Sequence, residues 1–411
     1  MKKLLLILVL VIAPVLFVLP NKVIAQDSAA TGSADFAPAA PAEIPQDEYS
    51  KAKVLEVNDE QSTNVGGFTQ PVQKVKLKIE SGSESGKEID VTHGELFAIQ
   101  EEQKVKVGEE IVLVKTQGPA GEIYYITDRY RTSGIISLFI IFFVVAALFG
   151  RWRGISSIAG LIFSIIVLVK FVIPQIVAGQ DPLLVSLVAA LVIAVISLYM
   201  AHGVNRRTSI ALASTILTLL IAAVLAIIFV KIAQLTGTGS EEAVFLRMGP
   251  IGDIDLKGLL LGGIIIGALG VLDDITTTQS AAVDELRKAN PDLSKRELIT
   301  RGMAIGREHI ASLINTLALA YVGASFPLLL LFSFGGNVPF WLTFNSEFII
   351  EEIVRTLVGS TALILAVPIS TFLAAHFLTR ESNIREVAVV RASRKSTRKA
   401  PAKKARKPKA R

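Results

Sequence analysis

The residues best equipped for chemistry lie where an apolar run ends. Gly258 to Leu272 carries no charge and is followed by Asp273-Asp274-Ile275-Thr276-Thr277-Thr278-Gln279. On a helix, Asp273 and Thr277 share a face at i, i+4, and so do Asp274 and Thr278. Carboxylate and hydroxyl oxygens are hard ligands, suited to Mg²⁺, Ca²⁺ or a proton. Ionisable groups at hydrocarbon depth are costly and commonly functional. A blander reading has Asp274 as the N-cap of a new helix starting near Ile275 at the water boundary.

A second polar set opens the next apolar segment. Arg307, Glu308 and His309 stand at its mouth. Glu308, Ser312 and Asn315 follow at i, i+4 and i+7, with Thr316 beside them. Such a stripe is expected to face the interior of a bundle rather than lipid. The two sets end at the same membrane face and could meet. One outcome is a structural salt bridge between Asp273 or Asp274 and Arg307 or His309. The other is an ion or proton site open to the cytoplasm, its metal left unspecified. No cofactor is implied beyond a divalent cation or a proton at the Asp273/Asp274 cluster.

These residues need helices to hold them. Seven segments approach the length of about 20 apolar residues that a crossing requires: 133–150, 155–178, 183–201, 208–231, 257–275, 309–333 and 352–376. Every second connection is basic: Arg151-Trp152-Arg153, Arg206-Arg207, the six Lys/Arg from Arg287 to Arg307, and the tail. Basic loops stay cytoplasmic, so the opposite ends are extracytoplasmic and the C-terminus is cytoplasmic. Gly258/Gly262 and Gly263/Gly267, with Gly270, provide small faces for close helix approach. Ser294 to Glu297 fits a capping box, so the connection 280–308 is expected to hold two short helices, 280–289 and 295–307. Glu351 and Arg355 suggest an i, i+4 pair, and Pro174, Pro327 and Pro368 suggest kinks.

The amino terminus reads differently. Lys2-Lys3, an apolar run and Val23-Ile24-Ala25 form a secretory signal peptide or signal anchor over 1–25. An Ala/Pro/Ser-rich linker follows to residue 48. From 49 to 130 the period becomes two, with Val75, Leu77 and Ile79 alternating with lysines. Strand candidates are 51–57, 72–79, 87–92, 109–115 and 123–127, which suggests a small OB-like β-barrel domain outside the cell membrane. The net charge of +6 is uneven, because 380–411 alone carries +11. That tail has no apolar period over 391–411, is expected to be disordered, and suits anionic lipid. The chain has no cysteine, which excludes disulfides and thiolate metal sites.

The run Gly267-Ala-Leu-Gly270-Val-Leu-Asp273-Asp274-Ile-Thr-Thr-Thr-Gln279, followed by Gly302 to Asn315, resembles the bacterial YibE/F-like family. The resemblance implies a multi-spanning α-helical membrane protein behind an outer β domain. It brings neither a substrate nor a catalytic residue. No H-E-x-x-H, P-loop or G-x-S-x-G motif is present. Three functions stay open. One is a permease for a small solute or ion. Another is a non-catalytic scaffold embedded in the lipid bilayer, whose β domain binds a protein partner, with homo-oligomers possible in principle. The third is a metal-assisted membrane hydrolase.

Overall fold

The computed structural model describes residues 47–397, apart from 66–67, 119–120, 250–253, 325, 328–329 and 331–338. The signal segment, most of the linker and residues 398–411 lie outside the described residues. The chain divides into two compact units between Ala146 and Ala147.

The first unit is built on a five-stranded antiparallel sheet: β1 (Glu48–Val65), β2 (Phe68–Ile79), β3 (Glu88–His93), β4 (Glu110–Gly118) and β5 (Gly121–Arg129). The order is β3-β2-β1-β4-β5, so long β1 lies in the centre. The register pairs Val54 with Leu77 and Ala52 with Ile111. Alternation decides which face is dry. Val54, Val75, Leu77, Ile111 and Leu113 are buried, while the intervening lysines of β2 remain at the surface. A large apolar side chain buried in this way contributes about 1.5–3 kcal/mol. One polar residue belongs to this interior. The fully buried Gln73 donates from Nε2 to the carbonyl of Val105 (3.1 Å), and its Oε1 accepts from Val105 N (2.8 Å). It thereby pins the segment between β3 and β4 to the sheet.

The helices are α1 (Thr132–Val167), α2 (Ile173–Val177), α3 (Pro182–His202), α4 (Arg206–Ile232), α5 (Glu241–Met248), α6 (Leu256–Ala289), α7 (Lys295–Ala324), α8 (Phe340–Phe344) and α9 (Glu347–Thr397). A π turn, Leu168–Val172, joins α1 to α2. Pro174 accounts for it, because proline cannot donate to the carbonyl of Lys170. Asp181 caps α3 by accepting from Leu184 N at 2.9 Å, and Asn205 caps α4 by accepting from Thr208 N at 2.9 Å. The Ser294 box is present: Ser294 N and Oγ donate to Glu297 Oε2 at 2.8 and 2.7 Å.

Five described helical runs are long and apolar enough to cross a membrane: Thr132–Val177, Pro182–His202, Arg206–Ile232, Leu256–Ala289 and Glu347–Thr379. The count differs from seven for two reasons. The expected segments 133–150 and 155–178 are two helices joined across a break at Arg151 (φ 50°, ψ −138°), and the run Thr132–Val177 holds both. With 46 residues, the run is long enough for two crossings of about 20 residues each. The segment 309–333 starts inside α7 and passes beyond its described end.

Other expectations also change. The connection 280–308 does not hold two separate short helices. α6 continues to Ala289, α7 starts at Lys295, and only five residues join them. Helix α9 extends to Thr397, into the stretch expected to be disordered; 381–397 contains neither Gly nor Pro. Arg355 pairs with Glu352 (3.2 Å) rather than Glu351.

The helical core is formed by α3, α4, α6 and α9 around Leu219, Ile265, Leu272 and Leu363. Lipid is as apolar as these side chains, so close packing of small residues has to hold the helices together. Ala190, Ala222, Ala268, Ala362 and Ala366 serve that purpose.

Candidate functional site

Polar side chains collect inside the helical unit where α4, α6, α7 and α9 meet. On α4, Thr208, Ser214, Thr215 and Thr218 are buried. Thr215 and Thr218 return a hydrogen bond to the carbonyl one turn back, which satisfies a hydroxyl within apolar surroundings. Thr215 Oγ1 also meets Thr276 Oγ1 of α6 at 2.6 Å.

Gln279 joins three helices. Its Nε2 donates to the carbonyl of Gly302 on α7 (2.8 Å) and to Thr371 Oγ1 on α9 (2.7 Å). Glycine makes this approach possible. A Cβ on Gly302 would lie 2.9 Å from both Thr371 Cγ2 and Val283 Cγ2, and one on Gly306 would overlap Val367.

Asp273 lies six residues before Gln279 on the same helix, about 9 Å along the axis. On α7, His309 lies three residues beyond Gly306, whose Cα faces Gln279. Asp273 Oδ1, Thr277 Oγ1 and His309 Nδ1 are all sealed from solvent and have no hydrogen-bond partner among the described residues. The same holds for Thr208 Oγ1, Gln279 Oε1 and Ser280 Oγ. Buried polar atoms are normally satisfied by protein or ordered water, so each of these atoms, Asp273 Oδ1 and Thr277 Oγ1 on one face of α6 above all, is suited to meet water, a proton or a small cation. Among the described residues no group of three or more His, Asp or Glu is arranged to hold a metal ion.

The other expected site residues are placed differently. Asp274 is exposed and sits within continuous α6, so it is not an N-cap. It lies within electrostatic range of His202, as do Arg153 and Arg207. Thr278 is exposed on the same side. Among the described residues no ion pair joins Asp273 or Asp274 to Arg307; Arg307 Nε donates to its own helix, at the carbonyl of Met303. Glu308, Ser312 and Asn315 are exposed, contrary to the inward stripe expected. The inner face of α7 is taken by Gly302, Gly306, Ile310 and Leu313, and the polar stripe lies on the other side.

The glycines divide as well. Gly258 and Gly262 pack on the start of α3, where a Cβ on either would crowd Pro182 or Ser186. Gly263, Gly267 and Gly270 have open space where a Cβ would be and share the open face of α6 with Asp274. The hydroxyls of α4 and the Ser370-Thr371 pair were missed from the sequence. Their signal was present: hydroxyl residues at 208, 215 and 218 recur at helical spacing within an apolar segment.

Comparison with known proteins gives one result. The family model described as YibE/F-like protein matches residues 138–380, which contain α2 to α8, nearly all of α1 and all the polar groups just described, but not the β sheet. No curated protein matches, and no solved structure matches. The family match spans more than half of the 411 residues, and the chain therefore belongs to the YibE/F-like family.

Proposed function

We propose that this protein is a membrane permease for a small cation, a proton or a solute moved with one, with its polar site at Asp273, Thr277 and His309. A single observation carries the reading. A carboxylate oxygen lies inside a helical unit without a partner, next to an orphaned hydroxyl one turn away. A scaffold has no use for a carboxylate oxygen sealed from solvent without a partner, because unpaired charge is costly to keep in an apolar interior. A permease needs such a group, because a site already saturated by its own side chains has nothing to offer a passing ion.

The test is flux. The full chain would be reconstituted in liposomes enclosing a pH-sensitive dye, under imposed proton, Na⁺ and K⁺ gradients. Wild type is expected to exceed empty liposomes, and Asp273→Asn to return to the empty level at equal incorporation. Wild type indistinguishable from empty liposomes under every gradient would leave the scaffold reading.

One observation favours that second reading. The β domain contains a cleft of about 360 Å³ lined by His93, Leu96, Phe97, Tyr125 and Arg129 among others, with Phe97 stacked obliquely on Tyr125 at 5.2 Å. The proposed orientation puts this domain outside the cell membrane and the α6–α7 turn in the cytoplasm. Cysteines at Ser83 and Asp292, in a chain that otherwise has none, should label from opposite sides. Labelling of both from one side would overturn the orientation.

A further inference from the structure

Two carboxylates of α9 are held by the backbone of a distant loop. Helix α4 is followed by Thr236-Gly237-Thr238-Gly239-Ser240. Glu347 Oε1 accepts from Thr236 N (2.5 Å), Thr236 Oγ1 (2.8 Å) and Gly237 N (2.9 Å). Its Oε2 accepts from Thr236 Oγ1 (2.9 Å) and Thr238 Oγ1 (3.1 Å). One turn on, Glu351 Oε1 accepts from Gly239 N at 3.0 Å. Successive backbone N–H groups turned to one point form an anion-binding nest, and here the anion belongs to the chain.

The loop sequence suits this task. Gly237 has φ +85°, and a Cβ there would run into the backbone of Leu256 at the start of α6. A Cβ on Gly239 would come 2.7 Å from the Glu351 carboxyl carbon. The loop is therefore seated between the first turns of α6 and α9.

Helix α9 links this contact to the polar site. Pro368 lies inside it and leaves the carbonyl of Ile364 without its usual donor. Ser370 and Thr371 follow after Ile369, and Thr371 accepts the hydrogen bond from Gln279. The stretch from Glu347 to Val367 thus runs from the clasped end to the packing of Val367 against Gly306, beside Gln279.

We propose that loop 236–239 is a proton-released latch on α9, with Glu347 as the group that opens it. An ionised carboxylate only accepts, and every contact Glu347 makes here is with a donor. A proton on Glu347 would put an O–H among converging N–H and O–H groups and remove the charge that strengthens those bonds. The latch is closed while Glu347 is ionised and opens as the pH falls. On α9 the neighbouring charged groups are Glu351, Glu352 and Arg355, with Tyr321 of α7 facing the last two; Asp255 and Lys257 flank Leu256, which Gly237 meets, and Glu241 and Glu242 follow the loop in sequence. The loop itself contributes none. The latch stands or falls independently of transport, because its readout is a distance.

The test uses the full chain in lipid nanodiscs with spin labels at Glu241→Cys and Phe348→Cys. At neutral pH one narrow distance is expected. Glu347→Gln should lower the closed population on the order of tenfold, since several charge-assisted bonds are lost, and should remove any response to acid. Acid should open the latch with Glu347 intact to a similar extent. A Glu347→Gln distribution identical to that with Glu347 overturns the proposal, as does an acid response that survives in Glu347→Gln. Should Glu347→Gln fail to insert, Thr238→Val decides. It removes one donor and should shift opening to higher pH, and an unshifted profile counts against the latch.

Discussion

The two units treat polar groups in opposite ways. In the β domain, ionised side chains stand at the surface and satisfy one another. Glu84 accepts from Tyr124 Oη (2.8 Å), Lys87 Nζ (3.1 Å) and Lys115 Nζ (3.3 Å), and Lys115 also reaches Glu122 at 2.7 Å. Tyr124 first, then Lys87 and Lys115, hold the Glu84 carboxyl at a pKa of about 2, and Glu122, with Glu84, raises Lys115 above its ordinary value. In the helical unit, by contrast, polar groups are inside and several of the most buried have no partner. Among the described residues the β domain leaves one buried side-chain atom, Arg129 Nε, without a hydrogen bond, though 3.4 Å from Glu109, while the helical unit leaves seven such atoms open. Unsatisfied buried groups cost stability and are retained where they do something else, and on that ground the proposed site is placed in the helical unit.

The largest effect should separate the two glycine faces of the helical unit. Gly306→Leu forces a side chain into Val367 and Gln279 and is expected to cost about 3 kcal/mol or more by overpacking. Gly263→Leu, with open space around its Cβ, should change little. Melting curves in one detergent compare them directly, and similar losses in both would remove the distinction between packed and open faces.

Next comes the buried amide of the β domain. Gln73→Ala leaves the N–H and carbonyl of Val105 without this partner, and each orphaned group costs about 1–3 kcal/mol. Hydrogen exchange at Val105 should rise and the domain should melt earlier. Protection unchanged at Val105 would mean that the segment is pinned by something else.

Asp273→Asn sharpens the comparison most, because its sign is unusual. Removing an unpartnered buried carboxylate should leave the helical unit equally stable or more stable, by about 1 kcal/mol, while flux disappears. A destabilised Asp273→Asn would mean that the carboxylate has a structural partner, and the contrast between the units would collapse.

The smallest effect concerns acid. The carboxyl of Glu84 is held near 2 against an ordinary 4.5, so its contribution to folding is present above about 4.5 and is lost as the pH falls towards 2. Glu84→Gln should flatten that part of the stability profile. Because the group is at the surface, salt should shrink the difference, and a profile identical to wild type would show that the ionic cluster adds nothing.

Much of this was legible in order of residues. The strands follow from a period of two, since alternation forces one face of a sheet to be dry. Runs of apolar residues gave most of the helical spans, and Ser294 with Glu297 gave the start of α7 because capping is a local interaction. Helix ends were less readable. Polar residues after an apolar run look like a boundary, yet α6 continues through Asp273 and Asp274 to Ala289, because neighbouring helices supply the packing that keeps it helical.

The Asp-Asp-x-Thr-Thr-Thr-Gln run by itself determined that chemistry would gather on α6. Only the tertiary structure decided which of its members face inward. Asp273 and Asp274 are adjacent in the chain but lie about 100° apart around a helix, so one is held in the interior and the other is exposed. The same limit explains why Glu308, Ser312 and Asn315 could be recognised as a stripe but not assigned a side, and why Glu347 could not be matched to a loop over 100 residues before it. Periodicity reports that residues share a face. Which neighbour covers that face depends on contacts distant in sequence, and those exist only once the helices have packed.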